Sequence, residues 1–206
     1  MPIKNKRLIF VDLETSGLEP SQGHVILSMG AIVEKPGKKF EGMLDEFNVN
    51  IIPTANQWKL ASSQALDVNG LTLEYLQKTG ISLEDARKKF CEWLVANKVE
   101  SGKVMYVGQN PNFDLRFLGY YMGDELEFIN FPHAQDEVID IRDLYSILTN
   151  RKAVPWLKNR NGHAISNALG VEEEPKPHIA IEGARVVKRN FDKMVELGVF
   201  EPFSGQ

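Results

Sequence analysis

The segment that most constrains the fold is residues 8–18, LIFVDLETSGL, in which two acids follow an apolar run. Residues 8–11 are apolar without alternation, a pattern typical of a central strand covered on both faces. Side chains two residues apart in a strand share a face, so we expect Asp12 and Glu14 to lie side by side. Such like charges repel unless a cation lies between them, and oxygen ligands favour Mg²⁺ or Mn²⁺. The alternative is a strand end that carries both acids into water.

Composition and charge restrict the class of protein. The chain has 206 residues, 43% of them apolar and 25% charged, and we expect a single domain over residues 1–206. A net charge of −4 provides no global positive field, so any surface for nucleic acid must be local. The single cysteine, Cys91, excludes an intramolecular disulfide and suits a reducing cytoplasm. Because the sequence lacks a signal-peptide pattern and a membrane-length apolar run, we expect a cytoplasmic protein without membrane contact.

Hydrophobic patterning predicts an α/β protein with strands that first follow one another and later alternate with helices. The predicted strands cover residues 8–11, 24–34, 47–52, 103–107 and 138–141. The first three are expected as an antiparallel meander with a hairpin turn at Pro36-Gly37. The predicted helices cover residues 63–69, 72–78, 82–94, 112–122, 142–148, 163–169 and 177–197. This order of elements indicates a sheet of mixed direction.

Two later segments place reactive side chains at the ends of elements. Asp114 ends GQNPNFD, residues 108–114, where a strand gives way to a helix, and strand ends of an α/β sheet converge on one rim. His178 lies in PHIAIEGAR, residues 177–185, at the start of the last helix. An imidazole titrates near neutral pH and suits general-base work. Each residue also has a plainer explanation: Asp114 as a partner of the helix dipole, and His178 as an ordinary surface or core residue.

Taken together, VDLETSGL, GQNPNFDLRFL and PHIAIEGAR resemble the three motifs of the DEDDh 3′–5′ exonucleases. They occur in the family's order and span nearly the whole chain. The resemblance implies an α/β ribonuclease H-like fold, with a mixed five-stranded sheet and helices on both faces. It also implies metal-dependent release of nucleoside 5′-monophosphates from the 3′ end of single-stranded DNA or RNA.

The resemblance further implies roles for individual residues. Asp12, Glu14 and Asp114 would hold two Mg²⁺ or Mn²⁺ ions, and His178 would take the proton from the attacking water. The residues that would contact the terminal nucleotide are Thr15, Ser16, Gly17, Leu18, Asn110 and Phe113. For Phe113, packing between helix and sheet is an equally good explanation.

The third motif departs from the family pattern. The family carries an aspartate five positions after its histidine, and this chain has Gly183 there. Glu182 comes one residue earlier, about 100° around a helix. Three interpretations stay open. Glu182 binds metal after a local adjustment, or the site works weakly with water in place of the missing ligand. In the third, the protein is a catalytically impaired nuclease fold that binds 3′ ends or docks on a polymerase or nuclease partner.

Basic residues surround one tryptophan in the second half of the chain. The cations Arg151, Lys152, Lys158 and Arg160 flank Trp156. Such interleaving would suit a single-stranded backbone with a stacked base. The alternative is a solvated basic face with a buried tryptophan. The expected partners are therefore single-stranded DNA or RNA 3′ ends, and a homodimer or a polymerase partner stays open.

Overall fold

The secondary structure comes from a computed structural model that describes residues 6–35, 44–128, 131, 137–174 and 178–200. The strands are β1 (Arg7–Thr15), β2 (Ile26–Glu34), β3 (Leu44–Asn50), β4 (Val104–Gly108) and β5 (Val138–Asp140). The helices are α1 (Ala55–Lys59), α2 (Ser63–Asn69), α3 (Leu73–Thr79), α4 (Leu83–Ala96), α5 (Pro111–Phe128), α6 (Ile141–Asn150), α7 (Gly162–Leu169) and α8 (Ala180–Glu196). A short 3₁₀ turn covers Pro20–Gln22.

One mixed sheet contains the five strands in the order β3-β2-β1-β4-β5. β2 pairs antiparallel with both β1 and β3, which confirms the predicted meander. β4 adds to β1 in parallel, and β5 adds to β4 in parallel. The mixed five-stranded sheet is therefore confirmed, with β1 between β2 and β4. The predicted turn at Pro36-Gly37 lies outside the described residues.

Helices cover both faces of the sheet, as predicted. On one face, Ile9 and Val11 of β1 share a core with apolar residues of α4 and α5. On the other face, Leu8 and Phe10 share a core with residues of α6, α7 and α8. Successive residues of β1 thus enter opposite cores, and this explains why the strand shows no apolar alternation.

The first turn of α8 lies unusually close to the sheet. A Cβ atom at Gly30 of β2 would lie 2.2 Å from the backbone nitrogen of Ile181 and 2.4 Å from the carbonyl oxygen of Ala180. Gly30 is the partner of Asp12 in the register of β1 and β2. The missing side chain of Gly30 therefore allows the start of α8 to reach the sheet beside Asp12.

Several element boundaries differ from the sequence-based prediction, and α5 continues to Phe128 instead of ending near residue 122. β1 extends to Thr15 because its polar residues remain paired with β2, with a register shift between Glu14 and Thr15. β3 ends at Asn50, since Ile51 leaves the ladder for a bridge to Ile81. The short helix α1 was not predicted, and α8 begins at Ala180 rather than near residue 177.

Within the described ranges, no helix has both the length and the apolar character needed to cross a membrane.

Candidate active site

Three acids from the first two motifs meet where β1 and α5 come together. Asp12 and Glu14 lie two residues apart on β1, opposite Gly30 and Ser28 of β2. Asp114 lies in the first turn of α5, as predicted, and is only 5% exposed. Glu14 is buried and Asp12 is partly exposed.

Burial raises the pKa values of all three acids, and neighbouring negative charges add to the shift for Asp12 and Glu14. Desolvation raises the pKa of Asp12 well above its ordinary value, and the charges of Asp114, Glu14 and Glu174 add to this effect. Burial raises the pKa of Glu14 to about 8, with further contributions from Glu174 and Asp114. Burial also raises the pKa of Asp114 to about 8, although hydrogen bonds from its own N–H and that of Leu13 oppose the shift.

The donor set suits a hard divalent cation. All three acids offer carboxylate oxygens, the ligands that Mg²⁺ and Mn²⁺ prefer. A cation among them would favour their ionised forms and so reverse the pKa shifts that mutual repulsion and burial produce. The residues present therefore fit the metal ions that the sequence motifs imply.

His178 approaches these acids from the segment just before α8, together with a residue from the preceding loop. Its Nδ1 lies 3.2 Å from Oε2 of Glu174. The other carboxylate oxygen of Glu174, Oε1, accepts a hydrogen bond of 3.0 Å from the Ile179 N–H. Glu14, Glu174 and His178 each offer one ligand atom, and these atoms lie within 4.8 Å of one another.

Glu174 is a candidate that the sequence analysis missed. It ends the acidic run Glu172-Glu173-Glu174 between α7 and α8, outside all three motifs. Burial raises its pKa to about 7, opposed by the Ile179 hydrogen bond and supported by the charge of Glu182. The only signal in the sequence was an acid four residues before His178, and acidic runs are usually solvent-exposed.

At the position where the third motif departs from the family pattern, the glycine lies directly against Asp12. A Cβ atom at Gly183 would lie 2.3 Å from Oδ2 of Asp12, so a side chain there requires a neighbour to shift. Glu182 instead forms an ion pair with Arg185, which also binds Glu46 of β3. Among the described residues, the group able to share a metal contains Glu174 and does not contain Glu182.

A cavity of about 290 Å³ opens beside Glu14, between β1 and α2. Its wall includes Val68 and Asn69 of α2, and Asn69 holds the end of β1 by donating a 3.1 Å hydrogen bond to the carbonyl of Thr15. The lining residues that were predicted to contact a terminal nucleotide are Thr15, Gly17, Leu18 and Phe113. Leu18 is 73% exposed, so its side chain is available to an incoming ligand.

The remaining two predicted nucleotide contacts are engaged within the protein. Ser16 is buried, and its Oγ accepts a 2.8 Å hydrogen bond from the Val25 N–H, which fixes the turn after β1. Asn110 accepts a 2.8 Å hydrogen bond from Arg142 through its Oδ1. Neither residue lines the cavity beside Glu14.

The tryptophan among the cations is exposed. Trp156 presents 73% of its surface, so the alternative in which it is buried is wrong. Its segment is held near the end of β4, where Gln109 donates a 3.0 Å hydrogen bond to the carbonyl of Arg160.

Comparison with known proteins gives one family match and several relatives. The model of the exonuclease family RNase_T matches residues 9–191. The 3′-5′ DNA exonuclease Cap18 of Escherichia coli is 34% identical over 138 residues, which cover 66% of this chain and 66% of that protein. DNA polymerase III subunit epsilon of Rickettsia prowazekii is 24% identical over 143 residues, 68% of this chain and 56% of that protein. The chain thus spans about two thirds of the first relative and just over half of the second.

Solved structures resemble nearly the whole chain. The nuclease domain of 3′hExo, a DEDDh family member bound to rAMP, superposes with a TM-score of 0.70 at 17% identity, covering 95% of this chain and 94% of that one. Cell-death related nuclease 4 gives a TM-score of 0.73 at 16% identity, covering 94% of this chain and 64% of that one. At such identities the likeness establishes the fold alone, and the ribonuclease H-like fold is confirmed.

Proposed function

Because the chain belongs to the DEDDh 3′–5′ exonuclease family, we propose that it shortens single-stranded DNA or RNA from the 3′ end and releases nucleoside 5′-monophosphates. The observation that carries the proposal is that Asp12, Glu14 and Asp114 lie together, with His178 near Glu14 and with Glu14 lining a cavity. These residues come from distant parts of the sequence, and burying so many acids together is unfavourable without a function that needs them.

The acids are proposed to hold two divalent ions, Mg²⁺ or Mn²⁺. Asp12, Glu14 and Asp114 would supply carboxylate oxygens, and the raised pKa values described above are those of acids that lack a balancing positive charge. When bound, such ions would stabilise negative charge on the attacking and leaving oxygens of the phosphodiester.

His178 is the proposed general base. Its side chain is 30% exposed, so water can reach it, and one of its ring nitrogens lies close to the carboxylates of Glu14 and Glu174. A neutral imidazole there would accept the proton of the water that attacks the terminal phosphodiester.

The terminal nucleotide is proposed to occupy the cavity beside Glu14. Leu18 and Phe113 would contact its base and sugar, and Thr15 and Gly17 would contact its 3′ end. One relative is named as a DNA exonuclease, and one structural neighbour was solved with rAMP, so both DNA and RNA remain in the proposal. The likeness to polymerase III subunit epsilon extends the proposal to a polymerase partner.

We also propose a single exonuclease domain over residues 1–206 that acts in the cytoplasm. The family match over residues 9–191 and the one continuous sheet support the domain assignment. The single unpaired Cys91 supports a reducing compartment.

The test is a shortening assay on 5′-labelled single-stranded DNA and RNA with free 3′ ends, in Mg²⁺, Mn²⁺ or EDTA. Wild-type protein should remove nucleotides stepwise and release 5′-monophosphates, and both EDTA and Asp12→Asn should stop the reaction. No shortening in either metal, with the protein folded, would contradict the proposal.

Gly183 favours a second candidate, a catalytically impaired protein that binds 3′ ends without cutting them. It occupies the position of a family ligand and supplies none. Fluorescence anisotropy with labelled single strands distinguishes the two candidates. Binding that requires a free 3′ hydroxyl, without any product, would favour the second.

A further inference from the structure

The third motif leaves the proposed metal site one acid short, since Gly183 carries no side chain. Glu182, the nearest acid in the motif, forms an ion pair with Arg185, and Arg185 is held in turn by Glu46 of β3. Moving Glu182 to the metal site would therefore break an established ion pair. The structure offers another acid that needs no such rearrangement.

Glu174 already lies at the site. Its carboxylate is close enough to Glu14 and His178 for all three to share one ion, with ligand atoms within 4.8 Å of one another. Its charge also acts on Asp12, so it belongs to the same electrostatic group as the motif acids. The side chain is only 17% exposed, which is unusual for a glutamate in an acidic run between two helices.

We propose that Glu174 is the fourth acidic metal ligand of this site, supplied by the loop before α8 instead of by the helix itself. The inference rests on the proposed function and names the residue that replaces the missing aspartate. Glu174 lies nine positions before Gly183, so the replacement comes from a different element and not from a neighbouring position in the motif.

The contacts of Glu174 position its carboxylate and leave acceptor positions on the two oxygens for a metal ion. Oε1 accepts a hydrogen bond from the Ile179 N–H, and Oε2 lies near Nδ1 of His178. An ionised carboxylate has about four acceptor positions, so both contacts leave room for a metal ion. The bond to Ile179 also ties the loop to the start of α8, which fixes the carboxylate relative to Asp12.

The missing side chain at Gly183 and the position of Glu174 are consistent with each other. Because a Cβ atom at position 183 would lie 2.3 Å from Oδ2 of Asp12, Asp12 occupies space that a side chain at 183 would need. With Asp12 in this position, the loop that carries Glu174 brings an acid to the group from another direction.

The experiment compares Glu174→Gln with Glu172→Gln. Glutamine keeps the size of the side chain and the acceptor for the Ile179 N–H, so the first variant removes the charge and replaces the second carboxylate oxygen by an amide nitrogen. Glu172 is exposed in the same acidic run and serves as the matched control. Mn²⁺ is titrated into each metal-free protein by isothermal calorimetry, in the absence of nucleic acid.

We expect Glu174→Gln to bind Mn²⁺ at least about tenfold more weakly than wild type, or to lose one of two ions. Glu172→Gln should bind as wild type does. In EDTA above pH 8, where Glu174 and Glu14 are ionised, the Glu174→Gln variant should melt at a higher temperature than wild type, because it removes a charge that faces Glu14 and Asp12. A merely structural glutamate would give the opposite sign in EDTA.

Glu174→Gln could weaken Mn²⁺ binding indirectly, by moving His178. The same substitution is therefore also made in the His178→Ala variant. If Glu174 acts as a ligand, Glu174→Gln should weaken Mn²⁺ binding there as well. Unchanged affinity and stoichiometry in Glu174→Gln would overturn the inference, as would a wild-type protein that binds no Mn²⁺.

The metal-binding experiments and the shortening assay can fail independently of each other. Glu174-dependent Mn²⁺ binding by a protein that shortens no substrate would support the ligand assignment and contradict the exonuclease proposal. Metal-dependent shortening by a protein whose Mn²⁺ affinity is unchanged in Glu174→Gln would support the exonuclease proposal and contradict the ligand assignment.

Discussion

Asp12 is the residue on which the other site residues converge. The charges of Asp114, Glu14 and Glu174 all raise its pKa, and the backbone of Gly183 leaves space for its carboxylate. Its position on the central strand is fixed by pairing with β2, so the residue cannot easily move away from its neighbours. Changes at the residues around Asp12 should therefore affect both stability and metal binding.

Gly183→Ala should destabilise the protein although alanine favours helices. Helix propensity alone predicts a gain of about 1 kcal/mol. The new methyl group, however, would lie 2.3 Å from Oδ2 of Asp12, and overpacking of this kind costs about 1–3 kcal/mol. We expect a lower melting temperature and weaker Mn²⁺ binding.

Gly119→Ala in α5 is the control for that substitution, because a Cβ atom there would meet nothing within 4 Å. It should raise the melting temperature or leave it unchanged. If Gly183→Ala were as stable as Gly119→Ala, the contact between position 183 and Asp12 would not be as described.

The pH dependence of stability follows from the raised pKa values. Glu14 and Asp114 have folded-state pKa values of about 8, above the ordinary values of 4.5 and 3.8 that apply in the unfolded chain. Groups with raised pKa values bind more protons in the folded state, so their contribution is full at low pH and is lost as pH rises to about 8. In EDTA, the melting temperature should fall between pH 5 and pH 8.

Saturating Mn²⁺ should reduce or reverse this slope, since the metal binds the ionised carboxylates. Differential scanning fluorimetry across that pH range, with and without metal, provides the check. A melting temperature in EDTA that rises steadily from pH 5 to pH 8 would contradict the proposed burial of the acids.

At the scale of elements, the contact between α8 and the sheet decides where the site forms. The segment just before α8 carries His178 and binds Glu174 through the Ile179 N–H, and the missing side chain of Gly30 allows the first turn of α8 to reach the sheet. α8 packs along this face of the sheet, and its first turn lies beside Asp12, so the geometry of the site depends on that contact.

Gly30→Ala should move α8 away from β2, because its Cβ atom would lie 2.2 Å from the backbone nitrogen of Ile181. Backbone cannot rotate aside as a side chain can, so we expect a loss of stability at the upper end of the 1–3 kcal/mol range or beyond. Mn²⁺ binding should weaken in parallel, as Glu174 shifts from Glu14. Wild-type stability and affinity in this variant would show that α8 does not depend on the contact.

Sequence patterns predicted the strands and the motif acids. They missed the features that depend on contacts between residues distant in the sequence. The apolar run of residues 8–11 and the paired acids after it follow from side-chain alternation, which is local. Glu174 carries no such pattern, and the approach of α8 to Gly30 depends on residues about 150 positions apart. Such contacts form only when the elements pack together, so no local periodicity in the sequence predicts them.

For the whole molecule, the proposed function requires that a single strand reach the cavity beside Glu14. The net charge of −4 is unfavourable for a polyanion, so local features must guide it. The exposed Trp156 among Arg151, Lys152, Lys158 and Arg160 is the feature that suits this role.

Trp156→Ala should raise KM for a single-stranded substrate and leave kcat nearly unchanged. Stacking of a base on an aromatic ring contributes about 1–3 kcal/mol, so a KM increase of about fivefold or more is expected. Tyr75→Ala is the control, since Tyr75 is also an exposed aromatic residue, at 47%. Equal KM values for the two variants would remove Trp156 from the substrate path.

The most direct test of the account is an anomalous difference map from crystals of the protein soaked in Mn²⁺. We predict manganese peaks bounded by the carboxylates of Asp12, Glu14, Asp114 and Glu174, with Glu182 still paired to Arg185. Manganese bound by Glu182 with Glu174 turned away would contradict the assignment of the fourth ligand. A map without any peak beside Asp12 would contradict the metal site itself, and with it the proposed mechanism.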